Sequence, residues 1–294
     1  MSTRHFLDVD DLTADEITTI LALSQRRDWP QLLLGRGVVL LFEKPSLRTR
    51  NSCEMAVFEL GGHPVTIKAD EISLDVREPA ADVAKVLSGY YAAICARVFD
   101  HSKLTNMAAV SDVPVVNLLS DQSHPVQALA DLLTLLERWG TFEGRSIAYV
   151  GDGNNVCRAL MLAGSIMGME VRVAAPEGFE PDAELVARTG TVLTNDPAEA
   201  VTGADAVYTD VWASMGQEAE AAERKQAFDG FTVDETLFAK AAPDALFLHC
   251  LPAHRGEEVS AGVVDGAHSV VWRQAHNRMH SFRGLLLWLF GNWG

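Results

Sequence analysis

Short apolar runs that end at turn residues recur along this chain with helix-patterned segments between them, and this alternation restricts the fold more than any other feature. The first run is GVVLLF at 37–42, and PVTIKA, AAICARVF and PVVNLL follow, separated by stretches such as AADVAKVLSGY and SKLTNMAAV. Near-continuous apolar strands that alternate with helices predict an α/β fold in which a doubly wound parallel sheet is covered on both faces. After the long amphipathic stretch HPVQALADLLTLLERWG the alternation restarts with SIAYVGD, VRVAAP, TVLT, DAVYTDVW and ALFLHCLP, so two such domains are expected. The junction falls at Trp139 to Gly144, where a helix ends on Gly140, giving a first domain over 1–139 and a second over 140–276. Thr13 and Glu16 form a capping box ahead of Ile17, Ile20, Leu21 and Leu23, which predicts a helix near the start. The closing segment RMHSFRGLLLWLFGNW reads as a helix whose apolar face needs cover. From about 277 to 294 it is expected to pack back on the first domain.

Composition narrows the functions open to such a fold. The chain has 294 residues, 48% hydrophobic and 22% charged, enough for a sizeable core and unlike a disordered or fibrous protein. Its formal charge of −16 repels phosphate backbones and anionic lipid, so neither nucleic acid nor a membrane surface is an expected partner. Any anion that binds must meet a local cluster of positive groups. Apolar runs such as Leu285 to Phe290 are far short of the roughly 20 residues that span a bilayer. Residues 1–10 carry no apolar secretory core, and a cytoplasmic location is expected. Cys53, Cys95, Cys157 and Cys250 are widely spaced, with no CxxC pair, and read as reduced thiols.

Six segments could carry chemistry. In FEKPSLRTR a strand ends at Pro45 and a helix start would offer free backbone N–H groups beside Ser46, Thr49, Arg48 and Arg50, which suits a phosphate; the alternative is an ordinary Ser-capped helix with surface arginines. His124 and Gln127, one helical turn apart after a strand, can face one ligand, although a lone His at a helix start is commonly a cap. GDGNNV opens like a dinucleotide fingerprint, but Val156 stands at the third glycine position and Pro176 interrupts the place for the ribose-binding acid. Asn154 and Asn155 fit a zwitterionic amino acid better. In YTDVWASMG, Asp210 offers a carboxylate to an ammonium with Ser214 four residues on, or it caps a helix next to a core Trp. Cys250 in HCLPAHRG reads as a nucleophile, a zinc ligand, a thiol bonded to a substrate amine, or an inert core Cys. His276 and His280 are spaced i, i+4, yet no HExxH pattern accompanies them, so no metal is expected and Arg278 is the better ligand candidate. The charged segment GQEAEAAERKQAFDG reads as a solvated helix.

Taken in order, these segments resemble the aspartate/ornithine carbamoyltransferase family over almost the whole chain. FEKPSLRTR is similar to its S-x-R-T-R motif, HPVQALADLLT to its H-P-x-Q motif, and HCLPAHRGEEV, together with the S-M-G of DVWASMG, to its ornithine branch. The resemblance implies transfer of a carbamoyl group from carbamoyl phosphate to the side-chain amine of L-ornithine, with L-citrulline and phosphate as products and no cofactor. It implies that Ser46, Leu47, Arg48, Thr49 and Arg97 hold the phosphate, and that His124, Gln127, Arg278, Cys250 and Leu251 contact the carbamoyl group. By the same resemblance Asn155, Asp210, Ser214 and Met215 bind ornithine, and Arg48, Arg97, His124, Asp210 and Cys250 carry the catalysis. A homotrimer or an assembly of trimers is implied, with the segment around Ser73 reaching a neighbouring subunit. Ser73 stands where the family usually has Gln, Val126 where Thr or Cys is common, and Cys157 and Arg158 where small or polar residues are. Three rival functions remain: carbamoyl transfer to putrescine or an acylated ornithine, a non-catalytic carbamoyl phosphate-binding paralogue, and a nicotinamide-dependent dehydrogenase. A diamine lacks the α-carboxylate, and an acylated α-amine could not pair with Asp210.

Overall fold

A computed structural model describes residues 3–213 and 221–291. The chain divides into two compact units, the first running to Leu133 and resuming at His276, the second comprising Thr134–Ala275. In the first unit the elements run α1 (Ala14–Ser24), β1 (Gly37–Phe42), α2 (Leu47–Glu59), β2 (His63–Lys68), α3 (Ala69–Ile72), α4 (Ala80–Ser88), β3 (Ala93–Arg97), α5 (Ser102–Ala108), β4 (Val115–Leu119) and the start of α6 (Pro125–Trp139). The Thr13–Glu16 capping box is present, each side chain bonding the other residue's backbone N–H. Its four strands pair in parallel in the order β2-β1-β3-β4. On one face Val39, Leu41, Ile94 and Ala96 pack against Val83 and Leu87 of α4 and Leu104 and Met107 of α5. Burying each such aliphatic side chain contributes about 1.5–3 kcal/mol, which is why runs chosen for apolarity become strands here.

The second unit contains β5 (Ser146–Val150), α7 (Asn155–Ile166), β6 (Glu170–Ala174), α8 (Ala183–Thr189), β7 (Val192–Thr194), α9 (Pro197–Val201), β8 (Ala206–Thr209), α10 (Ala221–Ala227), α11 (Glu235–Phe238), β9 (Leu246–His249) and α12 (Ala261–Val264). Its sheet is also parallel, in the order β7-β6-β5-β8-β9. Two doubly wound parallel sheets are therefore present, as the alternation predicts. Aromatic rings cluster in its core, Trp212 stacked on Phe228 with centroids 5.5 Å apart and Phe179 meeting Phe228 edge-on at 4.9 Å.

The last helix, α13 (Val271–Phe290), belongs from His276 onward to the first unit, where Leu285, Leu286 and Leu287 are buried. A Cβ on Gly284 would lie 2.1 Å from Ser24 Oγ and 2.6 Å from the Ile20 carbonyl, so only glycine lets α13 lie this close to α1. Beside it the buried Arg283 donates to Glu59 Oε2 at 2.6 Å and to the Ser24 carbonyl at 3.1 Å, with its guanidinium 3.8 Å from the Trp29 ring centroid. This is the packing of the C-terminal helix expected from its apolar face. Among the described residues no helix is long and apolar enough to cross a membrane.

One sequence expectation needs correcting. The charged segment GQEAEAAERKQAFDG is expected to be a solvated helix; its residues 216–220 lie outside the described residues, and within α10 Glu223, Lys225 and Gln226 are exposed, but Arg224 is buried. It donates to Asp152 Oδ2 at 2.8 Å and to the Trp212 carbonyl at 3.0 Å and lies over the Phe179 ring. A buried guanidinium is tolerated here because a carboxylate and a carbonyl meet it.

Candidate active site

In the first sheet the strand order reverses between β1 and β3, whose last residues Phe42 and Arg97 are paired in register. The carboxyl ends of strands at such a reversal form a ligand crevice in α/β folds. Ser46 caps α2, its Oγ accepting from the Thr49 backbone N–H at 3.2 Å, and the first turn holds no acidic residue to neutralise the positive end of the helix. Leu47 has an exposed side chain, which leaves its backbone N–H as the group it could offer an anion. Thr49 is buried, and its Oγ1 accepts from Arg278 Nη2 at 2.8 Å and Arg97 Nη1 at 3.5 Å. Arg278 Nη1 also donates to Gln127 Oε1 at 2.5 Å, and Gln127 Nε2 donates to Asp131 Oδ1 at 2.8 Å. Two guanidiniums and a hydroxyl are thus gathered at one helix start by side chains from three elements.

His124, just ahead of α6, is buried, and its Nδ1 has no hydrogen-bond partner among the described residues. Burial first, then the charges of Arg278, Arg97 and Arg48, hold its pKa well below the ordinary value of 6.5. The imidazole is therefore neutral at pH 7. The same surroundings push the buried Cys53 thiol up to about 12, with Arg278 partly offsetting the burial.

In the second sheet the order reverses between β5 and β8, and again polar residues collect at the strand ends. Asn154 caps α7, its Oδ1 accepting from the N–H groups of Val156 at 2.9 Å and Cys157 at 3.1 Å and from Tyr149 OH at 3.4 Å. Its Nδ2 donates to Oδ2 of the buried Asp210 at 3.1 Å, and the Cys250 thiol donates to Asp210 Oδ1 at 3.0 Å. Asp210 is thus not the helix cap its sequence context also allowed, and Cys250 is only partly buried. Among the described residues no Lys or Arg forms an ion pair with Asp210.

The loop after β9 is held from below. His249 is buried, its Nδ1 accepting from the Leu251 N–H at 2.8 Å and its Nε2 facing Glu258 Oε1 at 3.1 Å. A backbone N–H can only donate, so Nδ1 is unprotonated and Nε2–H faces the carboxylate. These bonds support Leu251 at φ 61°, a left-handed conformation that costs a non-glycine residue on the order of 1–3 kcal/mol. Ligand atoms of Asp210, His249 and Cys250 lie within 4.8 Å of one another, close enough for a metal ion. Both His249 nitrogens and the thiol are, however, engaged in these hydrogen bonds. His276 is exposed and joins no such cluster with His280 among the described residues.

Of the remaining expected residues, Asn155 heads α7 and is partly exposed, and Ser73 ends α3 at φ 46° with its Oγ donating to the Ala69 carbonyl at 3.2 Å. Ser214 and Met215 lie outside the described residues. The GDG of GDGNNV has a packing reason that its likeness to a nucleotide fingerprint hid: a Cβ on Gly153 would lie 2.2 Å from Pro181 N and 2.5 Å from the Glu180 carbonyl carbon. The residues themselves offered both Asn154 and Asn155, whereas the family resemblance implied Asn155 alone; Asp131, which orients Gln127, was not singled out. The signal for Asp131 was present in its i, i+4 spacing from Gln127.

Comparison with known proteins agrees with these two halves. Residues 4–137 match the carbamoyl-P binding domain of aspartate/ornithine carbamoyltransferases, and residues 143–289 match their Asp/Orn binding domain. The chain belongs to the aspartate/ornithine carbamoyltransferase family. Among members of this family, the ornithine carbamoyltransferase of Acidothermus cellulolyticus is 50% identical over 300 residues, covering 97% of this chain and 96% of its own. The anabolic ornithine carbamoyltransferase of Pyrococcus furiosus is 48% identical over 304 residues, covering 98% of this chain and 96% of its own. The solved Pyrococcus furiosus ornithine carbamoyltransferase superposes with a TM-score of 0.94 at 47% identity, covering 100% of this chain and 99% of that one.

Proposed function

We propose that this chain transfers the carbamoyl group of carbamoyl phosphate to the side-chain amine of L-ornithine, giving L-citrulline and phosphate. The first unit is the carbamoyl phosphate domain, with the phosphate at the start of α2, met by the backbone N–H groups of Leu47 and Arg48, the hydroxyls of Ser46 and Thr49, and the guanidiniums of Arg48 and Arg97. Arg278, Gln127 and the neutral His124 take the carbamoyl group, and the family resemblance gives Leu251 and Cys250 the same role. Asp210, Asn155, Ser214 and Met215 bind ornithine.

The neutral amine attacks the carbamoyl carbon, the new N–C bond forms, and the C–O bond to phosphorus breaks with its electron pair passing to the phosphate oxygen. The proton lost by the amine ends on the departing phosphate. Fixed donors around the developing oxygen charge lower the barrier without a covalent enzyme intermediate. The observation that carries the choice of ornithine is Asp210: a buried carboxylate bonded to an amide and a thiol, with no cationic partner among the described residues, suits an ammonium group.

The kinship with an anabolic relative favours the direction of citrulline synthesis. Exposed apolar side chains on the first unit, including Leu47, Met55, Phe58, Val86 and Tyr90, support assembly into a homotrimer, testable by light scattering on the purified protein. A cytoplasmic location fits four unbridged cysteines. The activity is tested by colorimetric citrulline formation with Arg48→Ala as control. The variant is expected to lose about 10²–10³-fold in rate if Arg48 acts like an oxyanion-hole donor, and equal rates would contradict the role given to α2.

A further inference from the structure

We propose that Asn154 is a positioning residue for ornithine, its side-chain amide fixing the orientation of the Asp210 carboxylate. The proposal rests on Asp210 being the ammonium ligand. Asn154 cannot be flipped without loss, because its oxygen receives two backbone N–H groups, from Val156 at 2.9 Å and Cys157 at 3.1 Å. The oxygen end is therefore tied to the first turn of α7, and the NH₂ end must point to Asp210 Oδ2, 3.1 Å away. The helix cap thus sets the rotamer of the amide, and the amide sets the carboxylate. With Cys250 Sγ at 3.0 Å on Oδ1, the carboxylate is gripped from both sides by donors that leave its charge in place.

The other titratable groups around Asp210 do not duplicate this role. Tyr149 of β5 gives its hydroxyl to Asn154 itself, Cys157 of α7 has its Sγ 3.8 Å from Met161 Sδ, and both are pushed well above their ordinary pKa values by burial. Asp152 is matched by Arg224, and His249 is matched by Glu258. A second carboxylate placed at 154 would therefore face Asp210 with no described cation between them.

The isosteric substitution Asn154→Asp separates positioning from capping. Aspartate caps a helix as well as asparagine does, so a capping role alone predicts a silent change. A positioning role predicts that the two carboxylates, one hydrogen-bond length apart, share a proton. The KM for ornithine should then rise at least tenfold and the acid limb of the kcat/KM profile should move up by about one pH unit or more. The affinity for carbamoyl phosphate in the absence of ornithine should remain within twofold. Asn154→Ser keeps a cap but has no amide, and should raise the ornithine KM severalfold without the pH shift, which provides a second reading should the aspartate variant fold poorly. Wild-type ornithine kinetics in both variants would overturn the proposal. Asp210→Ala in parallel distinguishes the two levels: an unchanged ornithine KM there removes the role of Asp210 itself, whereas a raised KM with silent position-154 variants removes only that of Asn154.

Discussion

Replacing His124 with leucine should separate chemistry from stability. The imidazole is buried, and its Nδ1 meets no partner among the described residues. An unsatisfied buried polar atom costs about 1–3 kcal/mol, and an apolar side chain of comparable volume removes that cost. The three guanidiniums that depress its pKa also show that the site would gain nothing from a charged imidazole. His124→Leu is therefore expected to leave urea stability at pH 7.5 unchanged or raise it by up to about 1–3 kcal/mol. The loss of a fixed donor at the carbamoyl oxygen should lower kcat by about 10²–10³-fold. Paired urea unfolding and citrulline assays on one preparation give both numbers. A variant destabilised by more than about 2 kcal/mol that keeps wild-type kcat would mark His124 as an ordinary packed histidine and refute the reasoning.

Further outcomes follow from the same geometry. Because the folded-state pKa of His124 lies below 6.5, the unfolded chain takes up this proton first as pH falls, so its contribution to stability is complete above about 6.5 and is lost below it, at up to about 1.4 kcal/mol per pH unit. His124→Leu should flatten that part of the stability–pH curve measured between pH 5 and 8. Gly153→Ala forces a methyl against the Glu180–Pro181 backbone and should cost about 1–3 kcal/mol in thermal or urea unfolding. Of the four cysteines only Cys250 is not buried, so a thiol reagent at pH 8 should find one fast site in the native protein, lost in Cys250→Ser.

The central strands were legible because parallel strands buried on both faces are apolar throughout, as GVVLLF and SIAYV are. The candidate phosphate site was legible for a related reason: in an acidic chain, arginines next to a strand end and a Pro45–Ser46 turn stand out. Ser46 proved to be a helix cap, and the cap reading and the ligand reading coexist because its hydroxyl still has a proton to donate. What stayed hidden depended on pairing across the chain. Arg224 looked like one more charge in a solvated run because its partner Asp152 is 72 residues away. Asn154 and Asn155 differ by one position, and only the three-dimensional start of α7 reveals which of them caps the helix and faces β8. The support of Leu251 by His249 and Glu258 likewise depends on a loop conformation that no local pattern encodes.

Initial rates with saturating carbamoyl phosphate and, in turn, L-ornithine, putrescine, N-acetylornithine and L-aspartate test the central claim most directly, since they ask whether a carboxylate held for an ammonium selects the acceptor. The account predicts saturable carbamoylation of ornithine, loss of at least tenfold in kcat/KM for each other amine, and a comparable loss for ornithine in Asp210→Asn. Preferential carbamoylation of aspartate or putrescine, or an Asp210→Asn enzyme with wild-type kcat/KM for ornithine, would contradict it.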